Sequence, residues 1–259
     1  MVDLSRFIEL VPGVWVATSR NYATTTTALL DGVGGAVVVD PAWDPDELAA
    51  IPADLASLGV QCVAGVATHE HYDHVMWHPD LGDVPRWSSP ATVRRLADAR
   101  DAVLAPLIDF LPADLVAVAG RLQAVESARL SWAGPEATCI VHDAHAPGHL
   151  AVLVERTGVL IAGDMLSDVE LPMPADDDRT LDVYLTGLLE LRDASARAAW
   201  VIPGHGTPSA DPRSRFDADL RYLDDLIAGR RSDDPRVSDP VNRELHEENL
   251  VRAAGSRQA

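Results

Sequence analysis

An apolar run from Val60 to Ala67 ends in Thr-His-Glu-His-Tyr-Asp-His at residues 68–74. Four potential metal ligands, His69, His71, Asp73 and His74, therefore fall within six positions. Imidazole and carboxylate are donors that a borderline-soft divalent ion such as zinc accepts. The preceding run reads as a buried strand, so a rigid element delivers the ligands at its end.

Three later segments repeat the layout of a strand followed by a glycine turn and a ligand-type residue. Ala146-Pro147-Gly148-His149 follows a strand predicted over 137–142. Ala162-Gly163-Asp164 ends a strand over 158–162, and Pro203-Gly204-His205 ends one over 199–202. Glycine beside a ligand lets the backbone turn sharply and approach closely. The candidate set is His69, His71, Asp73, His74, His149, Asp164 and His205. Five imidazoles and two carboxylates are enough to hold two ions with positions left for water.

The ordered pattern His-x-His-x-Asp-His, Gly-His, Gly-Asp, Gly-His resembles the metallo-β-lactamase-fold hydrolase superfamily over roughly residues 12–210. The resemblance implies an α/β fold, a four-layer αββα sandwich with metals at the edge between two sheets. It implies that His69, His71 and His149 bind a first ion, that Asp73, His74 and His205 bind a second, and that Asp164 bridges them. Asp40, at an early strand end before Pro41, is implied to orient the site. Two neighbouring cations lower the pKa of a bound water and give a hydroxide that attacks a carbonyl or phosphoryl centre. Asp73 is the candidate to shuttle the proton to the leaving atom. The expected cofactors are two divalent ions, zinc first, with iron or manganese as alternatives.

The rest of the chain reads as one domain over 1–259, with strands at 13–18, 24–30, 36–39, 115–118, 127–132 and 150–155. Helices are expected over 44–58, 89–111, 181–191, 212–229 and 240–254. The 89–111 segment is a helical insert whose residues Leu104, Leu107, Ile108, Phe110 and Leu111 form an apolar face, available as a substrate cap, as core or as a homodimer contact. Pro45 suits a first helical turn and Gly59 a helix stop. Trp43 and Trp77 are candidates for the substrate mouth or the core. Val75-Met76-Trp77 replaces the glycine with which the family continues its first motif, and this is expected to alter the pocket wall. His145 is expected to make an ordinary hydrogen bond, His142 to lie in the core or on the surface, and His246 on a solvated helix face.

Charge narrows the partners. The formal net charge is −19 and the sequence contains no lysine. Such a surface repels phosphate backbones and anionic membranes, so a small-molecule substrate is expected, with no nucleic acid and no membrane. No apolar run approaches the roughly 18 residues that span a bilayer. The first residues, Met1-Val2-Asp3-Leu4-Ser5-Arg6, lack the basic-then-apolar layout of a secretory signal, and the expected location is cytoplasmic. Cys62 and Cys139 sit in apolar stretches and read as reduced, buried thiols.

The expected activity is hydrolysis of an ester, thioester, lactone or similar carbonyl substrate. Glyoxalase II relatives bind glutathione through basic C-terminal residues, whereas residues 211–259 here are rich in acids. Quorum-sensing lactonases carry a tyrosine soon after the bridging Asp, whereas Met165-Leu166-Ser167 follow Asp164 here. The acidic run Asp176-Asp177-Asp178 is expected to flank the metals and to disfavour anions. The alternatives are a mononuclear iron oxidoreductase of the persulfide-dioxygenase kind and a phosphodiesterase.

Overall fold

The computed structural model describes residues 6–175 and 180–256. One sheet contains β1 (Ile8–Val11), β2 (Val14–Thr18), β3 (Thr25–Leu30), β4 (Gly35–Val39), β5 (Gln61–Val66), β6 (Arg86–Ser88) and β7 (Gln123–Ala124), in that order. The first four strands pair antiparallel, and β4 through β7 pair parallel. The second sheet runs β11 (Trp200–Pro203), β10 (Val159–Gly163), β9 (His149–Val154), β8 (Ala137–His142). Its β8, β9 and β10 are antiparallel, and β10 pairs parallel with β11. The helices are α1 (Pro45–Ser57), α2 (Pro90–Leu104), α3 (Ala113–Val118), α4 (Leu181–Glu190), α5 (Arg192–Arg197), α6 (Pro212–Ile227) and α7 (Pro240–Ser256).

Alternation along the strands explains the layers, because successive side chains point to opposite faces of a sheet. In β4, Val37 and Val39 join Leu150, Val152, Val159, Ile161 and Ile202 between the two sheets. Ala36 and Val38 point the other way, onto Leu48, Ile51 and Leu55 of α1 and Leu96 of α2. In β10, Leu160 and Ala162 face Leu181 and Leu188 of α4 and Leu223 and Leu226 of α6. Three apolar layers thus separate helices, sheet, sheet and helices. This is the αββα sandwich, and both faces of each sheet are buried, which accounts for the continuous apolar runs of β4, β9 and β10.

Local signals set the helix starts. Ser89 accepts from Thr92 N at 3.1 Å ahead of Pro90, and Asp211 accepts from Ser214 N at 3.0 Å ahead of Pro212. Capping side chains satisfy N–H groups that the helix itself cannot, and proline suits the first turn.

Several expectations are corrected. Residues 115–118 lie in helix α3, because Leu115 docks into the core from one side of a short turn of helix rather than alternating. Residues 127–132 form no named strand; they meet β8 through an isolated bridge between Arg129 and Thr138, and Leu130 packs into the core between the sheets. Helix α2 stops at Leu104, before Pro106, and has a kink at Ala99 (φ −133°). Leu104, Leu107 and Leu111 are buried in the helix–sheet core, while Ile108 and Phe110 are exposed, so this face caps no site. Asp176-Asp177-Asp178 lie outside the described residues. Among the described residues no helix is long and apolar enough to cross a membrane.

Candidate metal centre

The parallel strands β4 and β5 end side by side, and their ends build the first part of the site. Asp40, directly after β4, adopts a left-handed conformation (φ 47°). There its carboxylate accepts from the backbone N and the hydroxyl of Thr68, each at 2.8 Å. With its hydrogen given to Asp40, the Thr68 oxygen is left to accept from His69 Nδ1 at 3.0 Å. Asp40 Oδ2 also lies 3.1 Å from His74 Nδ1. One buried carboxylate therefore orients both ends of the His-rich loop.

The same device recurs at other imidazoles. His205 Nδ1 donates to the carbonyl of Tyr22 at 2.9 Å, and His145 Nδ1 donates to that of Met173 at 2.9 Å. Fixing one ring nitrogen leaves the other aimed at the centre, the arrangement that metal-binding histidines need. Tyr22 and Ala23 both adopt positive φ (56° and 50°), and this turn presents the Tyr22 carbonyl to His205.

Asp164, at the end of β10, stands between two groups. Its Oδ2 lies 3.3 Å from His69 Nε2 and 3.4 Å from His145 Nε2. Its Oδ1 lies 3.1 Å from His74 Nε2 and 3.5 Å from His205 Nε2. His71 Nδ1 completes the first group, 3.2 Å from His145 Nε2, and Asp73 Oδ2 completes the second, 3.2 Å from His205 Nε2. Ligand atoms within each of the sets His69–His71–His145–Asp164 and Asp73–His74–His205 lie within 4.8 Å of one another. Backbone must come close for this. A Cβ on Gly204 would strike Asp164 Oδ1 and stand 3.0 Å from His74 Cε1.

Six of the seven sequence-derived ligands converge. His149 does not join them, and this is a correction. Its Nε2 accepts the backbone N–H of Asp164 at 3.2 Å, and its ring stacks between His69 and His142 at 4.9 and 4.8 Å. His145 occupies the place expected for His149. The reading of His145 as an ordinary hydrogen-bonding residue missed this, although His145-Ala-Pro-Gly-His149 placed two imidazoles around one turn. Glu170 was also missed. Its carboxylate lies within 4.8 Å of ligand atoms of Asp164 and His205, and nothing in the sequence set it apart from the other acids of its loop.

Electrostatics separate the two groups. Burial, reinforced by the neighbouring His145, pushes the His71 imidazole down to about 4. Burial likewise holds His69 well below its ordinary value, helped by the charge of His74. Both shifts favour the neutral ring, the form in which an imidazole binds a metal. Burial also works against charge at His74, but the carboxylates of Asp164, Asp73 and Asp40 outweigh it and hold that ring well above the ordinary range. Burial raises Asp73, and His74 and His205 more than offset this and bring it below the usual carboxylate range.

The donor set fits divalent transition ions. The first group offers three imidazoles and a carboxylate, and the second two imidazoles with carboxylates. His69 Nε2 and Asp164 Oδ1 are buried without a hydrogen bond, as atoms reserved for an ion would be.

The family model described as "Metallo-beta-lactamase superfamily" matches residues 23–205. The chain belongs to the metallo-beta-lactamase superfamily. No curated protein sequence matches it. Solved structures share its fold at low identity. A metallo-beta-lactamase from Pontibacter korlensis is 17% identical (TM-score 0.67), with 84% of this chain and 98% of that one covered. The metallo-beta-lactamase FIM-1 from Pseudomonas aeruginosa, in a mono-zinc form, is 19% identical (TM-score 0.61; 85% and 95% covered). The inverting sec-alkylsulfatase Pisa1 from a Pseudomonas species is 14% identical (TM-score 0.65; 87% and 42% covered). Neighbours as different as a lactamase and a sulfatase show that this superfamily fold leaves the substrate open.

A cleft of about 360 Å³ opens over the site, with His71, Asp73, His145, Asp164 and His205 at its floor. Tyr22, Tyr72, Leu171, Met173 and Leu245 form its walls. Trp43 backs the wall, with its ring 5.7 Å from that of Tyr22 and 6.0 Å from that of Tyr72. Val75, Met76 and Trp77 are buried in the helix–sheet core, so the departure after His74 changes packing and not the pocket wall.

Proposed function

We propose that this protein is a dinuclear metal-dependent hydrolase of small carbonyl substrates such as esters, thioesters or lactones. The observation that carries the reading is the division of Asp164, with one oxygen toward His69 and His145 and the other toward His74 and His205. A single carboxylate placed this way serves two ions. His69, His71 and His145 would hold the first, Asp73, His74 and His205 the second, with zinc the first candidate.

Bound there, two divalent ions would supply an acidified water as nucleophile and would polarise the substrate oxygen. The chain itself does the rest. Asp40, Tyr22 and Met173 hold the imidazoles in one orientation and tautomer. Asp73 lines the cleft floor and is the group placed to move a proton toward the leaving atom. The aromatic and aliphatic walls favour an apolar acyl or alcohol portion and exclude water around it.

The acyl reading is supported over phosphodiester cleavage because no arginine lines the cleft among the described residues. Phosphate recognition ordinarily uses arginine or lysine. The test is metal analysis of protein purified without added metal, combined with a panel of chromogenic esters, thioesters, lactones, β-lactams and bis-phosphodiesters. Two ions per chain with acyl hydrolysis is the expected result. One iron with sulfur-dependent oxygen uptake would overturn it.

A further inference from the structure

The loop after Asp164 carries a third carboxylate into the site. Ser167 Oγ donates to the carbonyl of His205 at 2.7 Å and accepts from the backbone N of Val169 and of Glu170, each at 3.0 Å. Arg236 Nη1 donates to the carbonyls of Ser167 (2.9 Å) and Glu170 (2.8 Å) and to Asp219 Oδ1 (2.8 Å). The loop is thereby pinned to the strand end that bears His205, and the Glu170 side chain is turned into the cleft. A carboxylate oxygen of Glu170, one of Asp164 and a ring nitrogen of His205 all lie within 4.8 Å of one another.

Other acids nearby are spoken for. Asp168 pairs with Arg215 at 3.1 Å and accepts from Thr207 N. Asp219 and Asp234 share Arg236, each at 2.8 Å. The Glu170 carboxylate has no such cation and no hydrogen-bond donor among the described residues. It is half-buried and lines the cleft together with two further carboxylates, Asp164 and Asp73. Carboxylates crowded together in a cleft repel one another unless a positive charge sits among them.

We infer that Glu170 is a further ligand of the second ion, making that site oxygen-rich. The inference rests on the dinuclear reading above. The first group then offers three nitrogens and one shared carboxylate, and the second offers His74 and His205 with the carboxylates of Asp73, Asp164 and Glu170. Carboxylate-rich sites favour harder ions than imidazole-rich ones, so the two positions differ in preference. The first takes zinc, and the second accepts manganese or ferrous iron more readily than the first does.

The test is calorimetric titration of metal-depleted full-length protein with zinc and, separately, with manganese. It is run on the wild type, Glu170→Gln and Glu170→Asp. A visible absorption spectrum of the cobalt-substituted protein reports the coordination number. Two uptake steps are expected for the wild type. In Glu170→Gln the second step weakens by about tenfold or more while the first is unchanged, and the manganese-to-zinc preference of the second step falls. Glu170→Asp restores part of the loss, and the cobalt spectrum of Glu170→Gln shifts toward the stronger absorption of lower coordination. The unchanged first step certifies that the variant is folded. Wild-type affinity in both steps and an unaltered cobalt spectrum in Glu170→Gln would overturn the assignment. Absence of any uptake by the wild type would instead remove the dinuclear reading on which it rests.

Discussion

His145 Nε2 lies 3.2 Å from His71 Nδ1, inside the first ligand group, whereas His149, four residues on, accepts the N–H of Asp164 instead. The two imidazoles therefore have separable roles. His145→Ala is expected to remove the first ion and hydrolysis with it. His149→Ala leaves both groups of ligand atoms in place but loosens Asp164, so metal affinity falls by the roughly 10–100-fold typical of an outer partner. Metal content and competition against a chelator check both. Full retention of metal by His145→Ala would return the ligand role to His149.

Asp40 touches Thr68 and His74 and sits in the left-handed region. Asp40→Ala should lower metal affinity by about 10–100-fold and destabilise the fold by about 1–3 kcal/mol, because Thr68 N–H is left buried without its acceptor. Asp40→Asn keeps an oxygen for Thr68 and should lose less stability than affinity. Denaturant unfolding set beside a metal titration separates the two effects.

Gly204→Ala puts a methyl group against Asp164 Oδ1 and 2.9 Å from the Gly163 carbonyl carbon. The Asp164 carboxylate must move, so metal binding should drop. Gly32→Ala provides the contrast. Its φ is 85° and nothing lies within 4 Å of the added carbon, so only backbone strain of about 1–2 kcal/mol follows. Its metal content should equal the wild type, and unfolding curves with metal analysis on both variants decide the matter.

Arg236 is buried together with Asp219 and Asp234 and caps the loop that carries Glu170. Arg236→Ala strands buried carboxylates and is expected to cost about 3–5 kcal/mol. For a chain of this size each kcal/mol lowers Tm by roughly 2–4 °C. A thermal scan showing no change would mean that the loop is held by other contacts.

Burial pushes the Cys62 thiol up to about 12 and that of Cys139 to about 11. Thiolate is the reactive form, so both should react slowly with a disulfide reagent in the native protein and rapidly in guanidinium. Fast native labelling at either position would show that its strand opens.

Much of the fold was legible because apolar alternation and glycine turns are local. The strand ending at Val66 and the helix ending at Ser57 with Gly59 after it follow from the local pattern, whereas the paired sheets were implied by the family resemblance. The errors have local causes too. Val116 and Val118 read as strand by propensity, but Leu115 and Val116 pack on the helix side of the large sheet and tertiary context prevailed. Trp77 followed the metal motif closely in sequence, yet its ring packs against Gly65 and Arg86 beneath the sheet.

By itself the sequence determined the ligand types, their attachment to strand ends and the superfamily they imply. Only the tertiary structure decided which histidine enters the cluster of ligand atoms. His149 is the first residue of β9 and pairs with His142, so the pleat fixes its ring behind the site. His145 lies before Gly148 (φ 73°), where no regular period carries direction from one residue to the next. Glu170 was hidden for the same reason. Its aim comes from Ser167 and from Arg236, a residue 66 positions away, and a contact of that kind is set by packing rather than by spacing.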